Sequence, residues 1–247
     1  MILCLDSGNS RLKYALCPGA ENDGPWLVQG ALAHEATADL PGLLAAYPQP
    51  ERVLLANVAG QAAEARIRAA LAVWPGLIIE VVQSDVQACG VRNHYQNPAR
   101  LGVDRWCALI GARAQCSGSL LVVMAGTATT IDSLDSAGNF LGGLILPGQH
   151  LMLSALARDT ADLPFAHGQH QPFPRCTEDA IVSGALEAQI GAIERAWARL
   201  PDPRGRCLLS GGNADLLSRH LGFAHQRLDN LPLLGLRRLA LRSCSNT

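Results

Sequence analysis

Short apolar runs that end in glycine-bearing polar turns recur along this chain. Residues 120–123 are apolar and branched, which predicts a buried strand, and the run leads into Gly126. Residues 131–134 and 140–146 resume the apolar pattern and predict two more strands, joined by a hairpin turn at Gly138. A glycine at the end of a strand lets the backbone turn tightly and approach a ligand closely. This stretch is therefore predicted to be a β-rich phosphate-binding core.

The same pattern occurs at the N-terminus. The apolar residues 1–5 predict a strand, and a polar turn and a second apolar segment follow it. Placing Gly8 over Gly126 also sets Asn9 over Thr127, a small polar residue after the glycine in both cases. A unit that occurs once in each half of the chain predicts a duplicated domain with a ligand between the copies.

The rest of the chain alternates between predicted strands and helices. The predicted strands are 26–32, 52–57, 77–82 and the run into Gly211, and the predicted helices are 40–47, 61–74, 149–156, 177–200 and 231–241. Residues 163–175 are predicted to form a polar loop. Alternation of this kind predicts an α/β fold.

Composition excludes several classes of protein. The chain has 247 residues, 49% hydrophobic and 17% charged, with a net charge of -1. This balance is not that of a disordered chain, and it gives no general reason to expect nucleic acid or an anionic membrane as a partner. No apolar run approaches the roughly 20 residues that span a bilayer, and Asp6 interrupts any signal-peptide pattern. We expect a cytoplasmic protein, in which most of the scattered cysteines are small buried hydrophobic residues.

The first candidate site is the polar turn after the N-terminal strand. Asp6 could hold a phosphate-bound Mg²⁺, while Asn9, Ser10 and Lys13 donate to phosphate oxygens. An ordinary hairpin turn needs the same residue types. The second copy of the pattern favours the functional interpretation.

The second candidate site is Asp104, which directly precedes a helical pattern. Its position predicts an N-cap, and it also suits a general base with Tyr95 and Arg105 nearby. The two interpretations are compatible, because the N–H groups at a helix start keep a carboxylate ionised.

A pair of glycines and a pair of histidines each have a structural and a functional interpretation. Gly211 and Gly212 follow a predicted strand, where bare backbone can lie against a ring or a phosphate, although a simple strand–helix connector has the same sequence. His167 and His170 are three residues apart, but no acidic residue or cysteine accompanies them at ligand spacing, so a polar loop is favoured over a metal site.

Taken together, these motifs resemble type III pantothenate kinases, a family of the acetate and sugar kinase/Hsp70/actin superfamily. The resemblance covers nearly the whole chain and rests on residues 6–10 with Lys13, 102–105, 126–130, 140–148 and 210–213. It implies two duplicated ribonuclease H-like, actin-like ATPase domains at 1–115 and 116–247, with the nucleotide cleft between them. It also implies ATP-dependent phosphorylation of pantothenate to 4'-phosphopantothenate, the first step of coenzyme A biosynthesis.

The resemblance also implies roles for individual residues. Asp104 would be the general base, and Asp6 would reach Mg²⁺ through the phosphates. The implied ATP-binding residues are Asp6, Ser7, Gly8, Asn9, Ser10, Arg11, Leu12, Lys13, Gly126, Thr127, Gly211 and Gly212. The implied pantothenate-binding residues are Tyr95, Gly102, Val103, Asp104, Arg105 and Thr177, the last contributed by the neighbouring subunit of a homodimer.

One position departs from the family pattern. Where the family usually has an aspartate associated with a monovalent cation, K⁺ or NH₄⁺, this chain has Met124. A thioether is a poor ligand for a hard cation. The sequence therefore predicts ATP and Mg²⁺ as cofactors and leaves the monovalent cation open. A non-catalytic ATP-binding regulatory protein, or a kinase for another small hydroxylated acid, are the alternative functions.

Overall fold

The computed structural model describes residues 1–19 and 24–244 of the chain. The strands are β1 (Ile2–Ser7), β2 (Leu12–Cys17), β3 (Val28–Leu32), β4 (Arg52–Asn57), β5 (Ile78–Val81), β6 (Gln87–Ala88), β7 (Val91–Asn93), β8 (Leu120–Ala125), β9 (Ala128–Leu134), β10 (Asn139–Pro147), β11 (Arg206–Ser210) and β12 (Gln226–Arg227). The α-helices are α1 (Leu40–Leu43), α2 (Gln61–Leu71), α3 (Val103–Gln115), α4 (Gln149–Asp159), α5 (Thr177–Ala198), α6 (Ala214–Ser218) and α7 (Leu231–Cys244). Short 3-10 helices lie at His34–Asp39 and Pro98–Arg100.

The elements divide into two compact units. The first comprises Met1–Cys116 together with the C-terminal segment from Asn230, and the second comprises Ser117–Asp229. The expected domains, 1–115 and 116–247, assign α7 to the second domain, whereas its contacts group it with the first unit; the two expected domains stay a prediction. Among the described residues, no helix combines the length and the apolar character that crossing a membrane requires.

The first unit is built on a five-stranded sheet in the order β3-β2-β1-β4-β5. β1, β2 and β3 pair antiparallel, whereas β4 lies parallel to β1 and β5 parallel to β4. Because side chains alternate along a strand, β1 contributes residues to a hydrophobic core on each face of the sheet. Leu3 and Leu5 pack with residues of α1 and α2, and Ile2 and Cys4 pack with residues of α3 and α7.

Helices α3 and α7 cross at glycines. A Cβ atom on Gly235 would overlap the backbone of Cys107, and a Cβ on Gly111 would overlap the backbone of Leu231. The two helix backbones therefore approach one another more closely than ordinary side chains allow. This contact fixes α3, and with it the loop from which α3 begins.

The second sheet has seven strands in the order β12-β11-β8-β9-β10-β7-β6, and five of them, β10-β9-β8-β11-β12, belong to the second unit. Here too the first three strands pair antiparallel, β11 is parallel to β8, and β12 is parallel to β11. The order and the strand directions repeat those of the first unit strand for strand. The duplication expected from the two glycine turns is thus present in the topology of both sheets.

A buried amide organises the helical face of the second sheet. Gln189 of α5 is fully buried, accepts a hydrogen bond from Thr129 Oγ1 at 2.7 Å and donates to Gln149 Oε1 at 2.9 Å. Because buried polar groups are costly unless paired, these bonds fix α5 against β9 and against the first residue of α4.

Several local expectations need correction. The helix expected at 40–47 is a 3-10 helix, His34–Asp39, followed by the four residues of α1. Asp104 is not the N-cap of α3, because Gly102 holds that position. Proline and glycine inside α1 account for its shortness.

Candidate active site

The turn between β1 and β2 presents the first group of predicted site residues. Gly8 follows β1 directly, and its N–H donates to the Arg11 carbonyl at 3.1 Å, which closes the turn. Asn9 and Ser10 are exposed at its tip, whereas Leu12 is fully buried and offers a ligand only its backbone. The turn is thus a hairpin, as its residue types predict, with an exposed polar tip.

Asp6 is a buried carboxylate with incomplete partners. It pairs in register with Lys13, whose Nζ lies 3.9 Å from Asp6 Oδ2, and Asp6 Oδ1 has no hydrogen-bond partner. Burial raises the pKa of Asp6 to about 6; Lys13 opposes this rise, and the negative charge of Asp104 adds to it. A buried carboxylate oxygen without a partner suits a cation or a donor brought by a ligand.

Asp104 lies in the first turn of α3. Its Oδ1 accepts the backbone N–H of Arg105 at 2.9 Å. A Cβ atom on Gly102 would stand 2.7 Å from Asp104 Oδ1, so glycine at that position leaves room for the carboxylate. Because Asp104 influences the pKa of Asp6, the two carboxylates lie within electrostatic reach of each other.

Tyr95 and Arg105 form a pair beside Asp104. Arg105 is 4% exposed, and its Nη1 donates to the Tyr95 hydroxyl at 3.0 Å. Asn93 holds this segment, since its Oδ1 accepts the Tyr95 N–H at 3.1 Å and its Nδ2 donates to the Pro98 carbonyl at 3.0 Å. The structure therefore brings together the residues expected to contact pantothenate in the first unit.

In the second unit, the turn after β8 packs on two other loops. The Gly148 N–H donates to the Thr127 carbonyl at 2.9 Å, and the Asn213 N–H donates to the Ala125 carbonyl at 2.9 Å. A Cβ on Gly148 would overlap the backbone of Gly126 and of Thr127. These three loops leave no room for side chains at their contacts.

Gly211 is required where β11 ends. Its φ of +103° is a left-handed conformation, and a Cβ there would overlap the backbone of Ala125. Gly212 is exposed, with nothing near the position of a Cβ. The four glycine-turn residues expected to bind ATP, Gly126, Thr127, Gly211 and Gly212, thus lie on adjoining loops of one unit.

Thr177, the last predicted site residue, lies elsewhere in the second unit. It is exposed at the start of α5 and lines an apolar groove of about 660 Å³ between α4 and α5. Pro147, Met152, Leu156 and Ile181 are among the other lining residues.

Sequence reasoning missed two contributors to the site elements, His34 and Gln189. Asn213 belongs to the motif at 210–213, although the sequence assigns it no role of its own. His34 and Gln189 act across 26 and 60 residues of chain respectively, and no local pattern marks such contacts.

Comparison with solved structures defines the class of protein. A Campylobacter jejuni protein described as a Baf family transcriptional activator matches with a TM-score of 0.63 and 21% identity, over 99% of this chain and 100% of that one. A Sinorhizobium meliloti protein described as a 2-dehydro-3-deoxygalactonokinase matches with a TM-score of 0.58 and 19% identity, over 99% of each chain. With its two sheets of repeated topology, the chain has the duplicated fold of the sugar kinases and actin-like ATPases, as the sequence predicted.

Sequence comparison narrows this class to one family. The family model described as type III pantothenate kinase matches residues 2–199. The type III pantothenate kinase of Dechloromonas aromatica (strain RCB) is 56% identical over 98% of this chain and 100% of its own length. That of Aromatoleum aromaticum is 50% identical over 96% of each. The chain belongs to the type III pantothenate kinase family.

Proposed function

We propose that this protein transfers the γ-phosphoryl group of ATP to the primary hydroxyl of pantothenate, giving 4'-phosphopantothenate and ADP. The observation that carries the proposal is the pair of carboxylates, Asp6 with its unpartnered oxygen and Asp104 in the first turn of α3. A purely nucleotide-binding protein has no use for the second carboxylate. Family membership supplies the identity of the acceptor.

ATP binding is assigned to the glycine turns. In the first unit the phosphates would contact the hairpin from Asp6 to Lys13, whose exposed tip supports this role. In the second unit Gly126 and Thr127 would approach the phosphates, while Gly211 and Gly212 offer bare backbone to the nucleoside. Phosphoryl transfer depends mainly on positioning and charge neutralisation, which Lys13 and oriented N–H groups supply.

The residues present fit a magnesium ion carried by ATP. Asp6 Oδ1 is buried without a partner, and carboxylate oxygen is a preferred ligand of Mg²⁺. When bound, Mg²⁺ neutralises phosphate charge. Asp6 would bind Mg·ATP only when its carboxyl group is ionised. Because the pKa of Asp6 is raised, we expect nucleotide binding to weaken at low pH.

Asp104 is assigned the role of general base. Its carboxylate takes the proton of the pantothenate hydroxyl as that oxygen forms its bond to the γ-phosphorus. The bond between the γ-phosphorus and the β,γ-bridging oxygen breaks, and its electron pair leaves with ADP. The hydrogen bond from the Arg105 N–H orients the Asp104 carboxylate for this step.

The pantothenate pocket is assigned to Tyr95 and to residues 102–105. Arg105 is a buried cation, and a guanidinium is well suited to a carboxylate such as that of pantothenate. Tyr95 holds the guanidinium by its hydroxyl. Gly102 and Val103 would contribute backbone at the start of α3.

We further propose that turnover does not require K⁺ or NH₄⁺. Met124 pairs in register with Ser210 on one side and with Thr130 on the other, so the three side chains share one face of the sheet. Both hydroxyls are buried without partners. Two neutral hydroxyls with a thioether between them match a hard cation poorly, because the row has no carboxylate.

We also propose a cytoplasmic location and a homodimer that shares its active sites. The dimer is supported by the apolar groove at Thr177 and by the exposed apolar side chains near it. Ile145 of β10 is 63% exposed, and Leu151 and Leu156 of α4 are 41% and 37% exposed. Large apolar patches of this kind mark protein–protein contacts. We also retain two actin-like domains, 1–115 and 116–247, as a proposal for the evolutionary units.

The proposed reaction is tested by product analysis. Purified protein is incubated with Mg·ATP and pantothenate, and ADP and phosphopantothenate are measured together by mass spectrometry. Equal amounts of both products support the proposal. ADP formed with other hydroxylated acids but not with pantothenate would contradict the assigned acceptor, and nucleotide binding without turnover would support the regulatory alternative.

A further inference from the structure

His34 makes a long-range contact with the predicted nucleotide loop. Its ring lies at the start of the 3-10 helix His34–Asp39, and its Nε2 is 2.7 Å from the carbonyl oxygen of Gly8. Thr37 holds the residue from the other side, since its Oγ1 donates to the His34 carbonyl at 2.8 Å. Thr37 is itself 2% exposed, so the anchor is rigidly packed.

The chemistry of this contact determines the state of the ring. A carbonyl oxygen only accepts, so Nε2 must carry the proton and donate it to Gly8. In the neutral ring Nδ1 is then unprotonated, and Nδ1 is buried without a hydrogen-bond partner. The only polar bond of the described structure made by the His34 ring is therefore the one to Gly8.

This bond also orients the next N–H group of the loop. The carbonyl of Gly8 and the N–H of Asn9 belong to one planar trans peptide group and point in opposite directions. The carbonyl points at the 3-10 helix, so the N–H of Asn9 points away from it.

The side on which that N–H emerges is the side of Asp6. The 3-10 helix continues into Leu40, which packs with Leu5 on one face of the first sheet. Asp6 is the next residue of β1 and faces the opposite side, together with Lys13. The Asn9 N–H is thus directed to the side on which the two charged groups lie.

We propose that His34 is a positioning residue of the nucleotide loop, which fixes the Gly8–Asn9 peptide so that the Asn9 N–H donates to a phosphate oxygen of ATP. The inference rests on the proposed role of this hairpin in binding ATP. A donor that is fixed before the ligand arrives binds more tightly, because no conformational freedom is lost on binding. His34 itself touches no substrate.

The test uses a pair of amide variants of similar polarity and reach. The amide nitrogen of glutamine in His34→Gln replaces Nε2 and can donate to Gly8, whereas that of asparagine in His34→Asn corresponds to Nδ1 and falls short. His34→Ala removes the bond altogether. His225→Ala is the matched control, because the His225 ring also bonds a backbone carbonyl, that of Phe223 at 2.8 Å, but lies in the second unit near β12.

Binding of Mg·ADP and of a non-hydrolysable ATP analogue is measured by calorimetry, and KM is measured separately for ATP and for pantothenate. We expect His34→Ala and His34→Asn to weaken nucleotide binding about tenfold, the effect of one net hydrogen bond. His34→Gln should stay within about threefold of the parent, and KM for pantothenate should be unchanged.

Equal nucleotide affinity in the parent and in His34→Asn would overturn the inference. So would equal losses in His34→Gln and His34→Asn, or a loss in His225→Ala as large as in His34→Ala, since both would indicate a merely structural role. If His34→Ala does not fold, the comparison between the two amides decides alone. A parent protein that binds no nucleotide would instead remove the proposed ATP site on which the inference rests.

Discussion

At the scale of single residues, the site is organised around Asp6, whose buried carboxylate destabilises the protein when no nucleotide is bound. The carboxylate is buried, and Lys13 at 3.9 Å compensates it only in part. Function and stability are therefore opposed at this residue, because the same ionised oxygen that suits Mg·ATP is destabilising without it.

Replacing Asp6 should stabilise the protein at neutral pH. The pKa of Asp6 in the folded protein is about 6, above the value of about 3.9 for an aspartate in an unfolded chain. The folded state thus keeps its proton to higher pH, and the free energy of unfolding contributed by Asp6 falls as the pH rises through this window. Above about pH 7 the destabilisation by the ionised carboxylate is complete, so the free energy of unfolding of Asp6→Asn should exceed that of the parent by about 1–3 kcal/mol.

Denaturant unfolding at pH 4 and at pH 8, without nucleotide, measures this difference. The gain should be small at pH 4 and full at pH 8, and Asp6→Asn should lose Mg·ATP turnover. The matched control is Asp39→Asn at an exposed aspartate of the same unit, which should change little at either pH. A loss of stability in Asp6→Asn at pH 8 would contradict this account of the carboxylate.

At the scale of elements, short branched strands and long helices are predictable from the sequence, and the smallest elements are not. β4 and β11 coincide with apolar runs, and α5 follows its helical spacing. β6, β7 and β12 have two or three residues each, which is too few to show the alternation of hydrophobic and polar residues typical of a strand. Asp104 lies inside α3 rather than at its N-cap, because backbone geometry places the cap at Gly102.

The contacts that shape the site are those that local patterns miss. The turns at Gly8 and Gly126 are visible in the sequence as glycines after strands. The bond from His34 to Gly8 and the amide network of Gln189 join elements distant in the chain, so only the folded structure reveals them. The sequence places Lys13 close to Asp6, but it does not show that burial raises the pKa of Asp6.

The crossing of α3 and α7 gives a prediction at this scale. In Gly235→Ala the new Cβ would overlap the backbone of Cys107, which cannot move as a side chain can, so we expect a loss of about 2–4 kcal/mol. Gly191→Ala in α5 is the control, since nothing lies near its Cβ position and alanine is the better helix former by about 1 kcal/mol. Thermal unfolding should move in opposite directions in the two variants, and a Gly235→Ala protein as stable as the parent would contradict the close crossing.

At the scale of the whole molecule, the same strand topology occurs in both units. Within each unit, three antiparallel strands are followed in the sheet by two parallel ones, and a glycine turn follows β1 in the first unit and β8 in the second. The duplication was evident from the two turns, although the placement of α7 with the first unit was not. A helix carries no local mark of the sheet on which it packs.

The proposed dimer is tested by charge on the apolar surface of the second unit. Ile145→Glu places a carboxylate where the partner would bury Ile145, and should weaken association about a hundredfold or more. Val73→Glu in the first unit is the control, because Val73 is 60% exposed against 63% for Ile145. Sedimentation velocity should give a dimeric parent and control and a largely monomeric Ile145→Glu, whose turnover falls with dissociation. A parent that is monomeric at full activity would refute the shared site.

Asp104 is the proposed general base of a pantothenate kinase that does not require K⁺. The measurement is steady-state ADP release with Mg·ATP, with and without pantothenate, in Na⁺ and in K⁺ buffers, for the parent and for Asp104→Asn. We predict pantothenate-dependent turnover of the parent in both buffers, and a loss of about 10²–10⁴-fold in Asp104→Asn with nucleotide binding retained. Full turnover of Asp104→Asn would contradict the assigned base, turnover confined to K⁺ would contradict the interpretation of Met124, and no turnover of the folded parent would contradict the kinase itself.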